Sequence, residues 1–343
     1  MFIFYITGVT MKYYSGIDLG GTKIYSIVIN ENGEILSRNK QKVGDNKDVN
    51  KILEIINDSY KLSIENAGLK ENDIFAIGMA VPSAVNIEKG LLLNAPNLGW
   101  KNIEMAELLS KMTHKKVFID NDVNLGTYGE YCNGIEKKFN HLYGIFAGTG
   151  IGGGYIQNGE IIRGAGSTAG EIGHIIVKYK GPKCNCGNRG CLEAIAGKVG
   201  IMKYIQKKVD KEGKTTTLEI ISPNWRNSIG SSALRKAIEA NDTLVKKAIK
   251  RSAQFIGIAI ANIINSIGVE AIILGGGLIE ELGDIYMPII ESNMKKYSIA
   301  GGALPVKLIQ STLGDDAVAF GAAMIVTKKE TEKYLIISKE ALE

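Results

Sequence analysis

Three sulfurs and one imidazole crowd a single stretch, EIGHIIVKYKGPKCNCGNRGCLE, running from Glu171 to Glu193. Cys184, Cys186 and Cys191 fall within eight residues, and His174 lies ten positions ahead of the first. Zn²⁺ takes thiolate and imidazole tetrahedrally, so these four side chains match a closed Cys3His site that contributes folding energy. Gly181, Gly187 and Gly190 would let the chain turn tightly about one ion. Four cysteines in 343 residues, with no convincing signal peptide, do not make a disulfide framework. Cys132 lies outside the cluster and is expected to be a core thiol.

Two glycine turns suggest a second chemistry. Asp18-Leu-Gly-Gly-Thr-Lys23 and Ala147-Gly-Thr-Gly150 each follow a buried-strand pattern. Backbone N–H groups without a Cβ in the way bind phosphate oxygens, and threonine hydroxyls add donors. Two equivalent turns from two halves would hold a triphosphate from both sides. Asp18 could orient Mg²⁺ through its waters, or simply cap its turn. Leu274-Gly-Gly-Gly-Leu278 leaves room for a flat base such as adenine, or is a plain strand-to-helix turn. No P-loop or dinucleotide glycine motif is well placed. VFIDNDVN ends a strand, Val117 to Ile119, in polar residues, and either Asp120 or Asp122 could take a proton from a hydroxyl nucleophile. Strand alternation would put both on one face. Asp122 is also expected to cap a helix from about Val123.

The elements that must position these groups form a repeat. YYSGIDLGGTKIYSIVINENGEIL reads as strand, glycine turn, strand and a type I′ reversal at Asn32-Gly33. LYGIFAGTGIGGGYIQNGEII has the same grammar and reverses at Asn158-Gly159. Two copies imply two halves of related architecture. Val49 to Gly68 carries Ile52, Leu53, Ile56 and Tyr60 at helical spacing. IFAIGMAVP is a buried strand, Lys198 to Arg251 is mostly helical around a loop at 211–231, and DDAVAFGAAMIV is an Asp-capped helix with small residues on one face. Strands alternating with helices give an α/β fold with mixed sheets.

Composition narrows the partners. A hydrophobic fraction of 45% with 22% charged residues is that of a globular protein, and 343 residues suggest two domains. The net charge of +5 comes from dispersed lysines, which argues against nucleic-acid binding. MFIFYITGV is short and lacks a charged leader, and Met11 is an alternative start. Phe255 to Leu274 reads as a buried helix and strand rather than a membrane span. A cytoplasmic protein is expected, where reduced thiols agree with zinc.

DLGGTK, NAPNLGW, IDNDVN, AGTGIGGG, GEIGH, CNCGNRGCLE and LGGG, in this order from about Tyr13 to Val326, resemble the ROK family of sugar kinases and related repressors. The resemblance implies two related actin-like (ribonuclease H-like) domains with helices flanking mixed sheets and a cleft between them. The small domain would hold 1–122 and about 315–343, and the large one 123–314. It further implies that Asp18, Gly20, Gly21, Thr22, Lys23, Gly148, Thr149 and Gly150 hold ATP phosphates, with Gly275 and Gly276 near adenosine. Asn97, Asn121, Asp122, Glu171, His174 and Glu193 would contact the sugar. Asp122 would be the catalytic base, and His174, Cys184, Cys186 and Cys191 the structural zinc ligands. The expected activity is an ATP- and Mg²⁺-dependent hexose kinase making a sugar 6-phosphate, glucokinase first. N-acetylglucosamine, N-acetylmannosamine or fructose kinases, or a sugar-sensing regulator without turnover, are the alternatives. A homodimer is expected.

Departures from the family pattern are Ala80 and Ser83, where glycine is usual, and Ala196-Gly-Lys198 after GCLE. Only some dozen residues precede the first strand, too few for a helix-turn-helix, which argues against the DNA-binding branch. Zinc would fix Glu171 and Glu193 beside the sugar, and His174 would aim its second N–H at a sugar hydroxyl.

Overall fold

The computed structural model describes residues 11–44, 47–95, 97–134, 138–299 and 305–341. The MFIFYITGV segment and Pro96 of NAPNLGW lie outside the described residues. The chain divides into two compact units, one of Met1–Gly129 with Asp316–Glu343 and one of Glu130–Asp315.

The first unit begins with β1 (Tyr13–Leu19), β2 (Lys23–Asn30) and β3 (Ile35–Lys42). Asp48 then caps α1 (Val49–Asn66), accepting from the Lys51 N–H at 3.0 Å, and α1 buries Ile52, Leu53, Ile56 and Tyr60. Next come β4 (Ile74–Val81), the short β5 (Ala84–Asn86), β6 (Leu91–Ala95) and β7 (Trp100–Ile103), α2 (Met105–Thr113), β8 (Lys116–Asn121) and α3 (Asp122–Gly129). The main sheet runs β3-β2-β1-β4-β8, and β5, β6 and β7 make a separate three-stranded sheet.

The second unit contains β9 (His141–Ala147), β10 (Ile151–Gln157), β11 (Glu160–Ile162), α4 (Leu192–Ala196), α5 (Lys198–Glu212), α6 (Leu218–Ile221), α7 (Ser231–Glu239), α8 (Thr243–Ile267), β12 (Ala271–Gly275), α9 (Gly277–Tyr297) and β13 (Lys307–Gln310). Its sheet runs β11-β10-β9-β12-β13. In each unit three antiparallel strands are followed by two added in parallel, in the same order. The hairpin repeat read from the sequence is therefore the visible part of a duplicated sheet.

The two reversals differ in detail. Asn158 (φ 52°) and Gly159 (φ 79°) form the expected type I′ turn, with Gln157 opposite Glu160. At the first, only Gly33 (φ 83°) is left-handed. The Gly33 N–H donates to Asn30 O at 3.0 Å, which makes a longer loop closed by one left-handed glycine. Its register shift between Val28 and Ile29 absorbs the extra residue.

The last helix, α10 (Asp316–Ile325), returns to the first unit and lies on its sheet and on α3. A Cβ on Gly16 would overlap the Ala319 carbonyl, one on Gly78 the Ala322 carbonyl, and one on Gly321 the Leu125 carbonyl. Small residues on facing elements let backbones touch, which explains the small-residue face of DDAVAFGAAMIV. Beyond it, Ile336 bridges to Val117 through reciprocal bonds of 2.8 Å and covers the edge of β8.

The expected loop at 211–231 contains the one-turn α6, pinned by the fully buried Leu218 and Trp225. Asp242 fastens the segment. Its Oδ1 caps α8 by accepting from the Val245 N–H at 2.9 Å, while Oδ2 accepts from Thr216 Oγ1 and the Thr217 N–H, both at 2.7 Å. Cys132 is half-buried, not the core thiol expected. Among the described residues no helix is long and apolar enough to cross a membrane.

Candidate active site

β1, β4 and β8 run parallel, so their C-terminal ends share one edge of the first sheet. The turn leaving β1 is closed by the Gly20 N–H donating to Lys23 O at 2.9 Å, with Gly21 and Thr22 exposed. Asp18, Ala80 and Asp120 form one row across β1, β4 and β8. Ala80, one of the two departures from glycine, thus puts a fully buried methyl between two aspartates.

The strand geometry separates the two candidate bases. Asp120 is 2% exposed, and its Oδ1 accepts from the Asn121 N–H at 2.7 Å and from Asn124 Nδ2 at 3.4 Å. β8 ends at Asn121, so the expected alternation does not reach Asp122, which opens α3 half-buried. The cap is Asn121 rather than Asp122. Its Oδ1 accepts from the Val123 and Asn124 N–H groups at 2.9 and 3.1 Å, satisfying two first-turn donors. Asn121 Nδ2 in turn donates to Asp122 Oδ1 at 3.0 Å and to Ser83 O at 3.3 Å.

Ser83, the second departure, ties its own loop together. Its Oγ lies 2.8 Å from Asn94 O and accepts from the Asn94 N–H at 3.0 Å. Asn97 follows in an exposed turn closed by Leu98 and Gly99 N–H groups on Ala95 O. Trp100 beyond it is buried and donates its indole N–H to Lys47 O at 2.7 Å.

In the second unit, β9 and β12 are parallel, so the turn 148–150 and the glycines after Leu274 share an edge. Gly276 (φ 83°) packs against the backbone of Ala147, and a Cβ there would come within 2.7 Å of Ala147 O. A Cβ on Gly275 would come within 2.8 Å of the Phe146 ring, so close packing accounts for two glycines of the triplet. The Lys198 N–H donates to Gly148 O at 3.0 Å, joining the start of α5 to the same turn. Glu193, on α4, reaches this turn as well. Its Oε2 accepts from the Ile151 N–H at 3.2 Å, and a Cβ on Gly150 would overlap its carboxylate.

His174, Cys184, Cys186 and Cys191 come together, with one ligand atom from each within 4.8 Å of all the others. Cys184 Sγ is 3.8 Å from His174 Nδ1, and Cys186 Sγ is 3.7 Å from Cys191 Sγ. Zinc–sulfur bonds of about 2.3 Å in a tetrahedron put sulfurs roughly 3.8 Å apart, so the cage fits the ion. Burial raises the Cys184 thiol and pushes Cys191 up to about 12, while the Asn188 N–H lowers Cys186. A divalent cation is what would make all three thiolates. The second imidazole nitrogen, Nε2, lies 4.0 Å from Glu171 Oε2. The histidine thus stands between the sulfur cage and a carboxylate.

Apart from Asn97, which lies in the turn after β6, the sequence-derived site residues of each unit lie at its sheet edge or in the cysteine segment. The sequence did not disclose the bond from Ile151 to Glu193. Its one signal was a glycine at position 150, directly before β10, where a side chain would exclude the carboxylate.

The ROK family profile matches residues 14–329, and the chain belongs to the ROK family. It is 30% identical to the glucokinase of Halalkalibacterium halodurans, over 93% of this chain and 96% of that one. It is 31% identical to the xylose repressor of Caldicellulosiruptor bescii, over 91% of this chain and 77% of that one. A ROK family glucokinase from Streptomyces griseus, crystallised with glucose and AMPPNP, superposes with a TM-score of 0.78 at 26% identity, covering 92% of this chain and 98% of that one. The duplicated mixed α/β architecture is that of the actin-like ATPase fold.

Proposed function

We propose that this chain is an ATP-dependent hexose kinase, a glucokinase first of all, which transfers the γ-phosphoryl group of ATP to the 6-hydroxyl of the sugar. The observation that carries the reading is the position of Asp122. Its half-buried carboxylate is oriented by Asn121 at the strand edge that also bears Asp18 and the first glycine turn. Asp120 is buried, with Oδ1 on the Asn121 N–H and Asn124 Nδ2, whereas Asp122 is half-buried, with Oδ1 on Asn121 Nδ2 and the Val123 N–H; this difference in burial supports Asp122 as the base.

In this reading the sugar binds against Asn97, Asn121, Asp122, Glu171, His174 and Glu193. Asp122 accepts the 6-hydroxyl proton as the oxygen attacks, an effect of about 10²–10⁴-fold. Gly20, Gly21, Thr22 and Lys23 in one unit, and Gly148, Thr149 and Gly150 in the other, hold the phosphates. Gly275 and Gly276 lie by the adenosine. This reading assigns residues 1–122 with about 315–343 to a small domain and 123–314 to a large one. Mg²⁺, held near Asp18 through water, would offset phosphate charge. The cysteine cage with His174 would hold Zn²⁺, which fixes the segment bearing Glu171 and Glu193. Glu171 beside His174 Nε2 supports a shared role for that pair at the sugar. A cytoplasmic location and a homodimer belong to the same reading, on the family resemblance.

Similarity to the xylose repressor supports a second reading, a sugar sensor without turnover. ADP release from ATP, measured in turn with glucose, mannose, fructose, N-acetylglucosamine and N-acetylmannosamine, separates the two. Turnover highest with glucose supports the glucokinase; turnover highest with an acylated hexosamine or fructose moves the assignment to that kinase. No turnover with any sugar, despite sugar binding by calorimetry, leaves the sensor.

A further inference from the structure

Glu193 touches the wrong partner for a residue that only binds sugar. Its carboxylate sits on the second glycine turn, accepting from the Ile151 N–H at 3.2 Å and filling the space beside Gly150 that a side chain would take. Among the described residues no lysine or arginine lies within ion-pair distance of it. Cys184 Sγ, at 3.9 Å, is its other polar neighbour. A negative group thus occupies the rim of a turn whose N–H groups are suited to phosphate. Carboxylate and phosphate repel each other strongly when both are partly desolvated.

We propose that Glu193 couples the two substrates. Without sugar, its carboxylate stays on the Ile151 N–H and disfavours phosphate at Thr149 and Gly150. With sugar bound, its hydroxyls draw the carboxylate off the turn, which frees that N–H and removes the repulsion. Sugar occupancy therefore raises nucleotide affinity, and by linkage nucleotide raises sugar affinity by the same factor. The glycine at 150 is what allows the carboxylate onto the Ile151 N–H, because any Cβ would exclude it. The inference rests on the kinase reading and adds an order to it, with sugar preparing the phosphate site.

The test is calorimetric titration of the full chain with a non-hydrolysable ATP analogue and Mg²⁺, with and without saturating glucose. Coupling of about 10-fold is expected for the unmodified chain, inside the usual range of roughly 5–150-fold. Glu193→Gln should bind the analogue without sugar nearly as tightly as the unmodified chain does with sugar, so its coupling falls below about 2-fold. Glu193→Asp keeps the charge but shortens its reach to Ile151, and should show intermediate coupling. Equal analogue affinity with and without glucose in the unmodified chain overturns the proposal, as does full coupling retained in Glu193→Gln. If either occurs while glucose is still phosphorylated, the coupling idea alone fails. If the chain neither phosphorylates any sugar nor binds the analogue, the kinase reading fails and takes this inference with it.

Discussion

Asn121 Nδ2 donates to Asp122 Oδ1 at 3.0 Å, while the Oδ1 of the same asparagine caps the helix that Asp122 begins. One side chain therefore both ends β8 and orients the carboxylate that follows. Asp122→Asn is isosteric and should leave folding intact. The expected result is a fall in kcat of about 10²–10⁴-fold, with sugar KM changed little and the melting temperature unchanged. Asn121→Ala removes the cap as well, so it should also cost about 1 kcal/mol of stability. A kcat of Asp122→Asn within threefold of the unmodified chain would exclude Asp122 as the base.

The cysteine cage should carry one zinc per chain by elemental analysis. Cys191→Ser should lower that content and reduce the melting temperature, because an ion held by His174, Cys184, Cys186 and Cys191 would tie the fold of 174–193 together. Zinc uptake should also release protons from the Cys184 and Cys191 thiols, whose pKa values burial raises. Removing the metal with a strong chelator should abolish sugar phosphorylation. Undiminished turnover by a metal-free, folded chain would refute the link between the cage and the sugar pocket.

Asp242 gives a pH-dependent test of the second unit. Burial alone would raise its carboxyl, yet bonds from Thr216, Val245 and Thr217 outweigh it and hold the group below its ordinary value. The unfolded chain therefore takes up the proton more readily than the folded one. The stabilisation is present above the unfolded value, about 3.9, and is lost as pH falls through the lower folded value. Asp242→Asn keeps the helix cap but loses charge-assisted bonds. It should cost about 1.5–3 kcal/mol at pH 7 by denaturant unfolding, and the difference should shrink in acid.

Glu130, 1% exposed, is fully engaged. It accepts from Ser311 Oγ at 2.6 Å, the Leu313 N–H at 2.9 Å and the Thr312 N–H at 3.1 Å. Glu130→Ala removes the buried acceptor of these donors and of Thr312 Oγ1 at 3.3 Å, and should cost about 1–3 kcal/mol in chemical unfolding. Glu130→Gln, which keeps one acceptor oxygen, should cost less than the alanine change.

Legibility from the sequence followed the physics of each element. The cysteine cage was plain because three sulfurs in eight residues have few other uses. The hairpin repeat was plain because strand, glycine turn and Asn-Gly recur in order. The turn type at Asn32-Gly33 was not, since this dipeptide suits both a two-residue turn and a longer loop. Pairing register decides between them, and that is a property of the whole sheet. The cap at Asn121 was hidden for a similar reason: three adjacent polar residues can all accept first-turn N–H groups. Polar composition disguised α6, whose order comes from burying Leu218 and Trp225. Glu130 and Asp242 carried no signal, because their partners are far off in sequence or in an unremarkable threonine pair.

The first unit is interrupted, for Glu130–Asp315 separates its sheet from α10. During synthesis, then, Gly16 and Gly78 emerge long before the carbonyls of Ala319 and Ala322 that cover them. The intervening unit is contiguous and can close first, while the amino-terminal sheet waits for α10. A chain stopped after Asp315 should accordingly leave a protease-resistant fragment from 130–315, with the earlier residues digested.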